Sequence, residues 1–317
     1  MNKEFDFVGK RKVFFIISAC LMGVILLATV IFGVKLDIQF KGGTIINYAY
    51  DGELDSAAFS ARASEILDGI PVNAAVGTDF TTNRNSVTLS LTTKSGLTSD
   101  KQFELTNTLT EEYADNNLDL ISSSDVSPSA GSEFFKKCLV AVAFASIILI
   151  IYIALRFKKI SGWSAGVVAI IALFHDIIVT YGTFVICRME IDANFMAVVL
   201  TILGYSINNT IVIYDRIREN ERLYGKKKTR DELVNMSINQ SMTRSIHTTV
   251  STLIAMVTIT VVALVYRVDS IISFSFPLII GILSGFYSSV CLAGPLWTFV
   301  DDKFGSGKAE NGKKKTA

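Results

Sequence analysis

Long apolar runs alternate with short polar connections along most of this chain. Each run has about the 20 residues that an α-helix needs to cross the hydrocarbon core of a bilayer. The pattern therefore predicts a polytopic α-helical membrane protein with six transmembrane helices. The six runs lie near 13–34, 134–155, 164–187, 193–214, 245–266 and 270–296.

One long polar segment, residues 35–133, separates the first apolar run from the second. Alternating β-forming residues and capped amphipathic stretches within it predict strands and helices. We expect the order βαββαβ, which is that of a ferredoxin-like α+β domain. The strands are predicted near 43–50, 71–78, 85–93 and 118–125, and the helices near 55–69 and 98–117.

The distribution of charge predicts which segments lie on each side of the membrane. Half of the 317 residues are hydrophobic and the formal net charge is only +1, but basic residues crowd both ends of the chain and the connections after the second and fourth runs. The positive-inside rule therefore predicts cytoplasmic termini and an exported polar segment. The predicted regions are 1–34, the cytoplasmic N-terminus and first helix; 35–133, the extracytoplasmic domain; 134–300, the five other helices; and 301–317, a basic cytoplasmic tail.

The first apolar run follows Lys10, Arg11 and Lys12, as the apolar core of a signal peptide would. It is longer than such a core and lacks a cleavage site of small residues. We therefore expect a retained membrane anchor.

No residue pattern indicates an enzyme, a metal site, a bound cofactor or a nucleic-acid partner. The exported segment has no histidine, no cysteine and no glycine-rich phosphate loop. Cys20, Cys138, Cys187 and Cys291 lie in or beside apolar runs without CxxC spacing, so we interpret them as buried small hydrophobic residues.

Asp176 and His175 lie in the middle of the third run. An ionised Asp at the centre of a bilayer costs roughly 2.5–3.5 kcal/mol, so its carboxylate should face the interior of the bundle and have a partner. This cost favours a functional role for Asp176. The alternative is that both residues only lock neighbouring helices together through hydrogen bonds.

Two further runs carry polar side chains at helical spacing. In the fourth run the spacing of Tyr205, Asn208, Asn209 and Val212 predicts that the two amides share one helix face. These amides can bind a water or a cation but cannot titrate. In the fifth run we favour a buried pairing role for Arg244 over a snorkelling anchor, because a polar stripe continues from it into the bilayer. The stripe comprises Arg244, His247, Thr248 and Ser251.

Two shorter features predict structure rather than chemistry. Gly281 and Gly285 have the GxxxG spacing of closely packed membrane helices. The charged stretch that begins at Asp215 alternates in sign and predicts that the fourth helix continues beyond the membrane.

The stretch GYSINNTIVIYDRIREN at 204–220 resembles the signature of the SecF family, the smaller half of the bacterial SecD/SecF protein-export complex. Four other stretches are similar to family elements in the same order: FKGGT at 40–44, SPSAG at 127–131, HDIIVTYG at 175–182 and TRSIHTT at 243–249. The signature residues are Gly204, Tyr205, Ser206, Asn208, Asp215, Arg216, Arg218 and Glu219.

The resemblance implies one half of a twelve-helix, RND-like bundle completed by SecD in a bacterial cytoplasmic membrane. It implies an auxiliary subunit that uses an ion gradient, usually of protons, to promote late steps of protein export. The implied partners are SecD, the SecYEG channel, the unfolded preprotein emerging outside, a YajC-type accessory protein and membrane lipid.

The resemblance also implies roles for particular residues. Arg244 falls at the family's membrane arginine and Asp176 at its third-span acid, with His175 and Asn209 in the same ion pathway. The residues Phe40, Gly42 and Gly43 fall on an extracytoplasmic hinge motif.

This sequence departs from the family pattern at two positions. Gln39 replaces an Asp before the hinge Phe, with Asp37 two residues earlier, and Asn209 replaces the signature's Asp. If the chain couples to ions, the titrating carboxylate comes from Asp176 or from SecD. With Asn209 in place of the acid, the site would favour a cation such as sodium, or the coupling would be weaker. Two alternatives remain open: a structural subunit without ion coupling, and an RND-like half-transporter for lipid or small molecules.

Overall fold

Six helices are long and apolar enough to span a membrane in the part of the chain that the structure, a computed structural model, describes. The described residues are 5–79, 84–91, 96–157, 162–225, 227–266 and 268–304. The last spanning helix has three parts, with a π-helical segment in the middle. In chain order the helical elements are α1 (Arg11–Phe32), α2 (Ile38–Lys41), α3 (Ser56–Ile66), α4 (Ser99–Glu112), α5 (Pro128–Arg156), α6 (Gly162–Ile186), α7 (Ala193–Tyr224), α8 (Arg230–Val265), α9 (Asp269–Tyr287), the π-helical segment (Ser288–Ala293) and α10 (Gly294–Phe304).

The six spanning helices confirm the prediction of a polytopic helical membrane protein. α6, α7 and the α9–α10 helix form the interior, since more than half of the apolar window of each is buried, whereas α1, α5 and α8 are mostly exposed. Phe157, Tyr214 and Trp297 are fully buried, or nearly so, and their rings pack together near one end of the bundle.

The helix α7 continues beyond its apolar run to Tyr224, as its charged stretch predicted. Ion pairs one turn apart support this extension: Asp215 lies 2.9 Å from Arg218, and Arg216 lies 2.6 Å from Glu219. At 1.5 Å per residue the 32 residues of α7 extend about 48 Å, well beyond the roughly 30 Å of the hydrocarbon core.

The helix α8 begins at Arg230, earlier than the apolar run near 245 indicated. Thr229 and Glu232 form a capping box in which each side chain accepts the backbone N–H of the other residue. The added turns are polar, so hydropathy alone does not detect them.

An N-terminal strap, residues 5–9, lies against this added part of α8. Asn239 bonds both the N–H and the carbonyl of Phe5, at 3.1 and 2.9 Å, and Asn235 accepts the N–H of Phe7 at 2.8 Å. Phe7 and Val8 are buried. The strap therefore ties the beginning of the chain to its fifth spanning helix.

Between α1 and α5 lies a separate sheet domain in which each strand is within two residues of its predicted position. The strands pair antiparallel in the order β2-β3-β1-β4. Side chains from β1, β3, α3 and α4 form its core, including Tyr48, Phe59, Leu89 and Leu105. The strands are β1 (Gly43–Tyr50), β2 (Val72–Asp79), β3 (Arg84–Leu91) and β4 (Asp119–Val126).

The sheet domain meets the bundle at α2. The Asp37 carboxylate caps α2 by accepting the N–H of Gln39, which lies inside the helix, at 2.7 Å. Leu36 forms a parallel backbone bridge with Ile191, which lies in the connection between α6 and α7.

The prediction that the cysteines are buried is wrong for two of them. Cys20 on α1 and Cys187, in the turn just after α6, are exposed, while Cys138 and Cys291 are half-buried. A thiol is apolar enough to face lipid, so an apolar run does not distinguish its inner from its outer face at these positions.

Candidate functional site

The carboxylate of Asp176 is completely buried among the interior helices. Ser206 on α7 and Ser288 in the π-helical segment donate to its Oδ2 at 2.6 and 2.7 Å, and Ser284 on α9 donates to its Oδ1 at 2.7 Å. Three hydroxyl groups from two neighbouring helices therefore surround one acidic group. This arrangement confirms that Asp176 faces the interior of the bundle and has partners.

The π-helical segment places consecutive hydroxyls on different helices. Ser288 reaches Asp176 on α6, while Ser289 lies 2.9 Å from the hydroxyl of Thr210 on α7 and donates to the Ser206 carbonyl at 3.2 Å. Wide helical turns of this kind are frequent at functional sites. Here the segment joins all three interior helices at the level of the acid.

Glycine permits the close approach of α9 to α7 at this level. A Cβ on Gly285 would lie 3.1 Å from the Cβ of Ser206, and a Cβ on Gly281 would lie 2.0 Å from Ile202. The structure therefore confirms that Gly281 and Gly285 serve close helix packing, as their GxxxG spacing predicted. Gly285 lies directly against a residue that bonds Asp176.

His175 is buried beside the same acid. Its Nδ1 lies 3.2 Å from Asp176 Oδ1, and its Nε2 has no hydrogen-bond partner among the described residues. The ring lies next to that of Tyr287, with centroids 5.9 Å apart. Tyr287 in turn donates to the carbonyl of Phe14 on α1 at 2.9 Å.

The two adjacent amides do not share a helix face. Asn209 is buried, and its Nδ2 is without a hydrogen-bond partner in the described part of the chain, whereas Asn208 is exposed. Consecutive residues are about 100° apart on a helix, and the edge of the buried face passes between them. The prediction of a common face is therefore wrong.

Arg244 lies outside the bundle interior, so the prediction of a buried pairing role is wrong for this chain by itself. The side chain is exposed and has no ion pair among the described residues. His247 and Ser251 are exposed with it, which leaves the predicted polar stripe of α8 uncovered. The apolar and polar pattern of α8 could not show whether the stripe faces inward or toward another chain.

The signature motif is divided between two places. Ser206 belongs to the Asp176 site, and Tyr205 donates to Thr249 on α8 at 2.9 Å. Its charged residues lie at the end of the bundle opposite the sheet domain, where they line a cleft of about 1140 Å³. The structure therefore separates the buried acid from Arg244, which also lines that cleft. The signature residues of the cleft are Asp215, Arg216, Arg218 and Glu219.

The hinge motif lies where α2 turns into β1. Gly42 and Gly43 have φ angles of 82° and 150°, and a Cβ on Gly43 would lie 2.0 Å from the Leu91 carbonyl oxygen. The ring of Phe40 packs on Phe134 and Phe135 at the beginning of α5. The motif thus fixes a sharp, closely packed turn between bundle and sheet.

Two acids lie in the α6–α7 connection beside this turn. Burial raises the pKa of Glu190, and the nearby charge of Asp37 raises it further. Burial also raises the pKa of Asp192, whose carboxylate caps α7 by accepting the N–H of Phe195 at 3.0 Å. The Glu190 carboxylate accepts a hydrogen bond from Asn73 of β2 at 3.1 Å, so the connection contacts the sheet.

Sequence reasoning did not identify Ser284 and Ser288 as site residues. Their i, i+4 spacing in an otherwise apolar run was the available signal, because it places two hydroxyls on one helix face. Serine is common in membrane helices for packing, so the spacing becomes informative only when Asp176 is known to lie opposite.

Comparison with known proteins identifies the family. Residues 106–303 match the family described as protein export membrane protein SecD/SecF, C-terminal. The translocase subunit SecF of Acidaminococcus fermentans is 33% identical over 95% of this chain and 99% of its own length. The chain belongs to the SecF family. The SecF subunit of Alicyclobacillus acidocaldarius is 35% identical over 94% of this chain and 93% of its own.

Solved structures of SecDF agree with the SecF fold described above. SecDF from Thermus thermophilus matches with a TM-score of 0.77 and 25% identity over 95% of this chain. SecDF in its super-membrane-facing form matches with a TM-score of 0.68 and 24% identity over 98% of it. The chain covers 39% and 40% of the length of those SecDF chains.

Family membership confirms the SecF resemblance that the signature and its companion motifs indicated. As a SecF protein with six spanning helices, the chain is a multi-pass protein of the bacterial inner membrane. Its role at the level of the family is an auxiliary one in protein translocation.

Proposed function

We propose that this chain, paired with SecD, uses an ion gradient to promote late steps of preprotein export, and that the ion acts at Asp176. The observation that carries the proposal is the completely buried Asp176 carboxylate, which is bonded by hydroxyls from α7, α9 and the π-helical segment. No catalytic residue, metal or cofactor forms part of it.

A buried carboxylate within a membrane is costly unless its charge is neutralised or well solvated. The three serines supply hydrogen-bond donors, and no Lys or Arg among the described residues forms an ion pair with Asp176. The charge of the site can therefore change when a proton or a monovalent cation binds. That change is what an ion-coupled subunit requires.

Neutralisation would alter the contacts between the interior helices. An ionised carboxylate only accepts hydrogen bonds, whereas a protonated one must also donate. The donors Ser206 and Ser288 share Oδ2, so protonation there would force one hydroxyl to reorient. The packing of α6 against α7 and α9 would then have two states whose populations depend on the ion.

The energies involved are of comparable size. Moving one charge through a membrane potential supplies about 2.3 kcal/mol per 100 mV. A hydrogen bond to a charged group contributes about 1.5–3 kcal/mol. One translocated ion can therefore offset the rearrangement of about one such bond.

The connection between α6 and α7 offers a route to the exported domain. Ile191 bridges Leu36 next to the hinge, and Glu190 accepts a bond from Asn73 of β2. A shift of α6 against α7 would therefore move the base of the sheet. We classify the sheet domain as ferredoxin-like on its element order and strand order, and propose that it meets the unfolded preprotein outside the membrane.

An uncovered polar stripe supports SecD as the partner. Thr201, Gly204 and Asn208 of α7 and Arg244 and His247 of α8 are exposed in this chain. The polar side chains among them are costly against lipid and are normally covered by another helix, and the small Gly204 lets such a helix pack closely. In a twelve-helix, RND-like bundle this stripe would face SecD, and Arg244 would join the ion pathway there.

Further partners and the orientation follow from the family and from charge. We propose that the complex works beside the SecYEG channel, with a YajC-type accessory protein and membrane lipid as further contacts. Basic residues at both ends of the chain favour cytoplasmic termini.

A structural subunit without ion coupling is the second candidate. Asn209, at the position where the family has an acid, is neutral and buried, and its amide nitrogen has no hydrogen-bond partner among the described residues. Under this alternative, Asp176 would only hold the helices together. Substitution of Asp176 would then lower stability without changing any dependence on an ion gradient.

The test is preprotein translocation into vesicles that contain SecYEG, SecD and this chain, under imposed proton and sodium gradients. Asp176→Asn should abolish gradient-dependent stimulation while the chain still inserts and binds SecD. The matched control is Thr180→Val on the same helix, since among the described residues Thr180 donates to the backbone carbonyl of Asp176 and not to its carboxylate. Asn209→Asp shows whether an added carboxylate strengthens coupling. Full stimulation by Asp176→Asn would refute the ion role.

A further inference from the structure

Two stretches of backbone are joined where the sheet domain meets the bundle. The N–H of Asp37 donates to the Ile191 carbonyl at 3.1 Å, and the N–H of Ile191 donates to the Lys35 carbonyl at 2.8 Å. These two bonds form the parallel bridge between Leu36 and Ile191. The bridge therefore fixes the connection between α6 and α7 to the beginning of α2.

The bridge brings two carboxyl groups together. Glu190 precedes Ile191 and Asp37 follows Leu36, and the two acidic side chains are within hydrogen-bonding reach of each other. Two carboxylates in contact repel each other when both are ionised, whereas one proton between them makes a hydrogen bond. The bridge is therefore most stable when the pair holds one proton.

Glu190 is the member of the pair that holds this proton. Asp37 accepts the N–H of Gln39 as the cap of α2, and a charged carboxylate makes the stronger bond of this kind. Glu190 is half-buried, and burial and the charge of Asp37 both raise its pKa. Its Oε1 accepts the amide of Asn73 at 3.1 Å, which leaves Oε2 to donate to Asp37.

The other charged groups around Glu190 leave its proton in place. They are Lys35, Lys41, Arg188 and Asp192. The two lysines are exposed, and they lower the pKa of Glu190 by less than burial and Asp37 raise it. The Arg188 guanidinium donates to the Phe32 carbonyl at the end of α1. Asp192 caps α7, and burial raises its pKa as well.

The Glu190 carboxyl also ties the sheet domain to the bundle. Asn73 lies on β2, an edge strand, whereas the hinge motif leads into β1, two strands away in the order β2-β3-β1-β4. Phe40 of the hinge has its own contacts with α5. Loss of the bond to Asn73 would therefore loosen the sheet at β2 while the hinge still holds it at β1.

We propose that Glu190 and Asp37 form a proton-operated latch between the sheet domain and the bundle, closed when the pair holds a proton and open when it does not. Opening releases that proton to the surrounding solution. With the termini cytoplasmic, as proposed above, the latch faces the outside and responds to the pH there. It is separate from Asp176, which lies about 15 Å before the end of α6, and does not require ion coupling.

The test is hydrogen exchange at the amides of Asp37 and Ile191 in the purified complex with SecD, from about pH 4 to about pH 8. Rates are corrected for intrinsic exchange. The Glu190 proton should make opening of the bridge rise by up to about tenfold per pH unit above the ordinary pKa of a Glu side chain. The rise should level off above the raised pKa. The amide of Leu89, in β3, should remain protected throughout.

Four variants separate the pair from its neighbours. Glu190→Gln keeps both bonds of a protonated Glu, since an amide can accept from Asn73 and donate to Asp37, and should reduce the rise to the part that Asp192 contributes. Asp37→Asn keeps the cap of α2 but removes the charge, and should narrow the pH range of the rise. Asp192→Asn keeps the cap of α7 and should retain most of the rise. Glu111→Gln, exposed on α4, should change nothing.

The latch would be overturned by any of four results. They are an opening of the bridge that does not change with pH; an equal rise in Glu190→Gln and in the natural chain; loss of the rise in Asp192→Asn, which would assign it to the cap of α7; and a rise at Leu89 as large as that at the bridge, which would indicate unfolding of the sheet domain. Because exchange is measured and not translocation, each result is independent of the ion role of Asp176.

Discussion

Replacing Gly285 with alanine tests the packing around the buried acid. The new Cβ would lie 3.1 Å from the Cβ and 3.2 Å from the Oγ of Ser206, which donates to Asp176 at 2.6 Å. These distances are shorter than ordinary carbon contacts, so Ser206 must move by a few tenths of an ångström. We expect the variant to disturb the Asp176 site directly.

The magnitude follows from two terms. Overpacking of a well-packed interior costs about 1–3 kcal/mol. If Ser206 also loses its bond to the charged acid, a further 1.5–3 kcal/mol or so is lost. Gly204→Ala is the matched control, because no atom lies within 4 Å of its added Cβ. The gain in helix propensity from Gly to Ala is the same in both variants and cancels in the comparison.

The assay is unfolding of each variant in mixed micelles of increasing SDS content, followed by circular dichroism. Gly285→Ala should be less stable than Gly204→Ala by at least 1 kcal/mol or so. It should also stimulate translocation less than the natural chain does. Free energies of unfolding that agree within about 0.5 kcal/mol for the two variants would refute the tight contact between α9 and Ser206 on which the site depends.

Three further predictions concern other parts of the molecule. Gly204→Ala should leave the isolated chain stable but weaken its association with SecD in co-purification; unchanged association would mean that SecD does not cover the α7 stripe. Because the pKa of Glu190 is raised in the folded state, its contribution to stability is present at low pH and falls as pH rises from the unfolded pKa through the folded one. Glu190→Gln should reduce that slope in hydrogen exchange at Ile191 to the part that Asp192 contributes, whereas Glu111→Gln should retain it in full. Asn239→Ala loses two bonds to Phe5 and should expose the strap to proteolysis at a cost of about 1–2 kcal/mol; unchanged cleavage would show that the strap is held by other contacts.

The architecture was largely predictable because it depends on repeated, local signals. Every spanning helix coincided with an apolar run, and the strands of the sheet domain followed the alternation of residues such as those at 43–50. The long extensions of α7 and α8 were not equally predictable. Charge alternation at Asp215 predicted the first, but the polar beginning of α8 at Arg230 carried no hydropathy signal.

The candidate site was only partly predictable because it depends on contacts between distant segments. The cost of burying Asp176 identified its importance, but the hydroxyl donors come from positions up to 112 residues away. The orientation of Asn208 and Arg244 could not be inferred, since a polar stripe on a membrane helix can face its own bundle or a partner. Only the three-dimensional position of α8 shows that its stripe faces outward.

The contact of the N-terminal strap with α8 has a consequence for synthesis of the chain. Phe5 and Asn239 are separated by 234 positions. At about 5–20 residues per second, the strap emerges from the ribosome roughly 10 to 50 seconds before its partner does. During that interval four helices enter the membrane while Phe5 and Phe7 remain without their contacts to α8. Closure of the strap therefore marks a late step of biogenesis, after the fifth helix has reached its place.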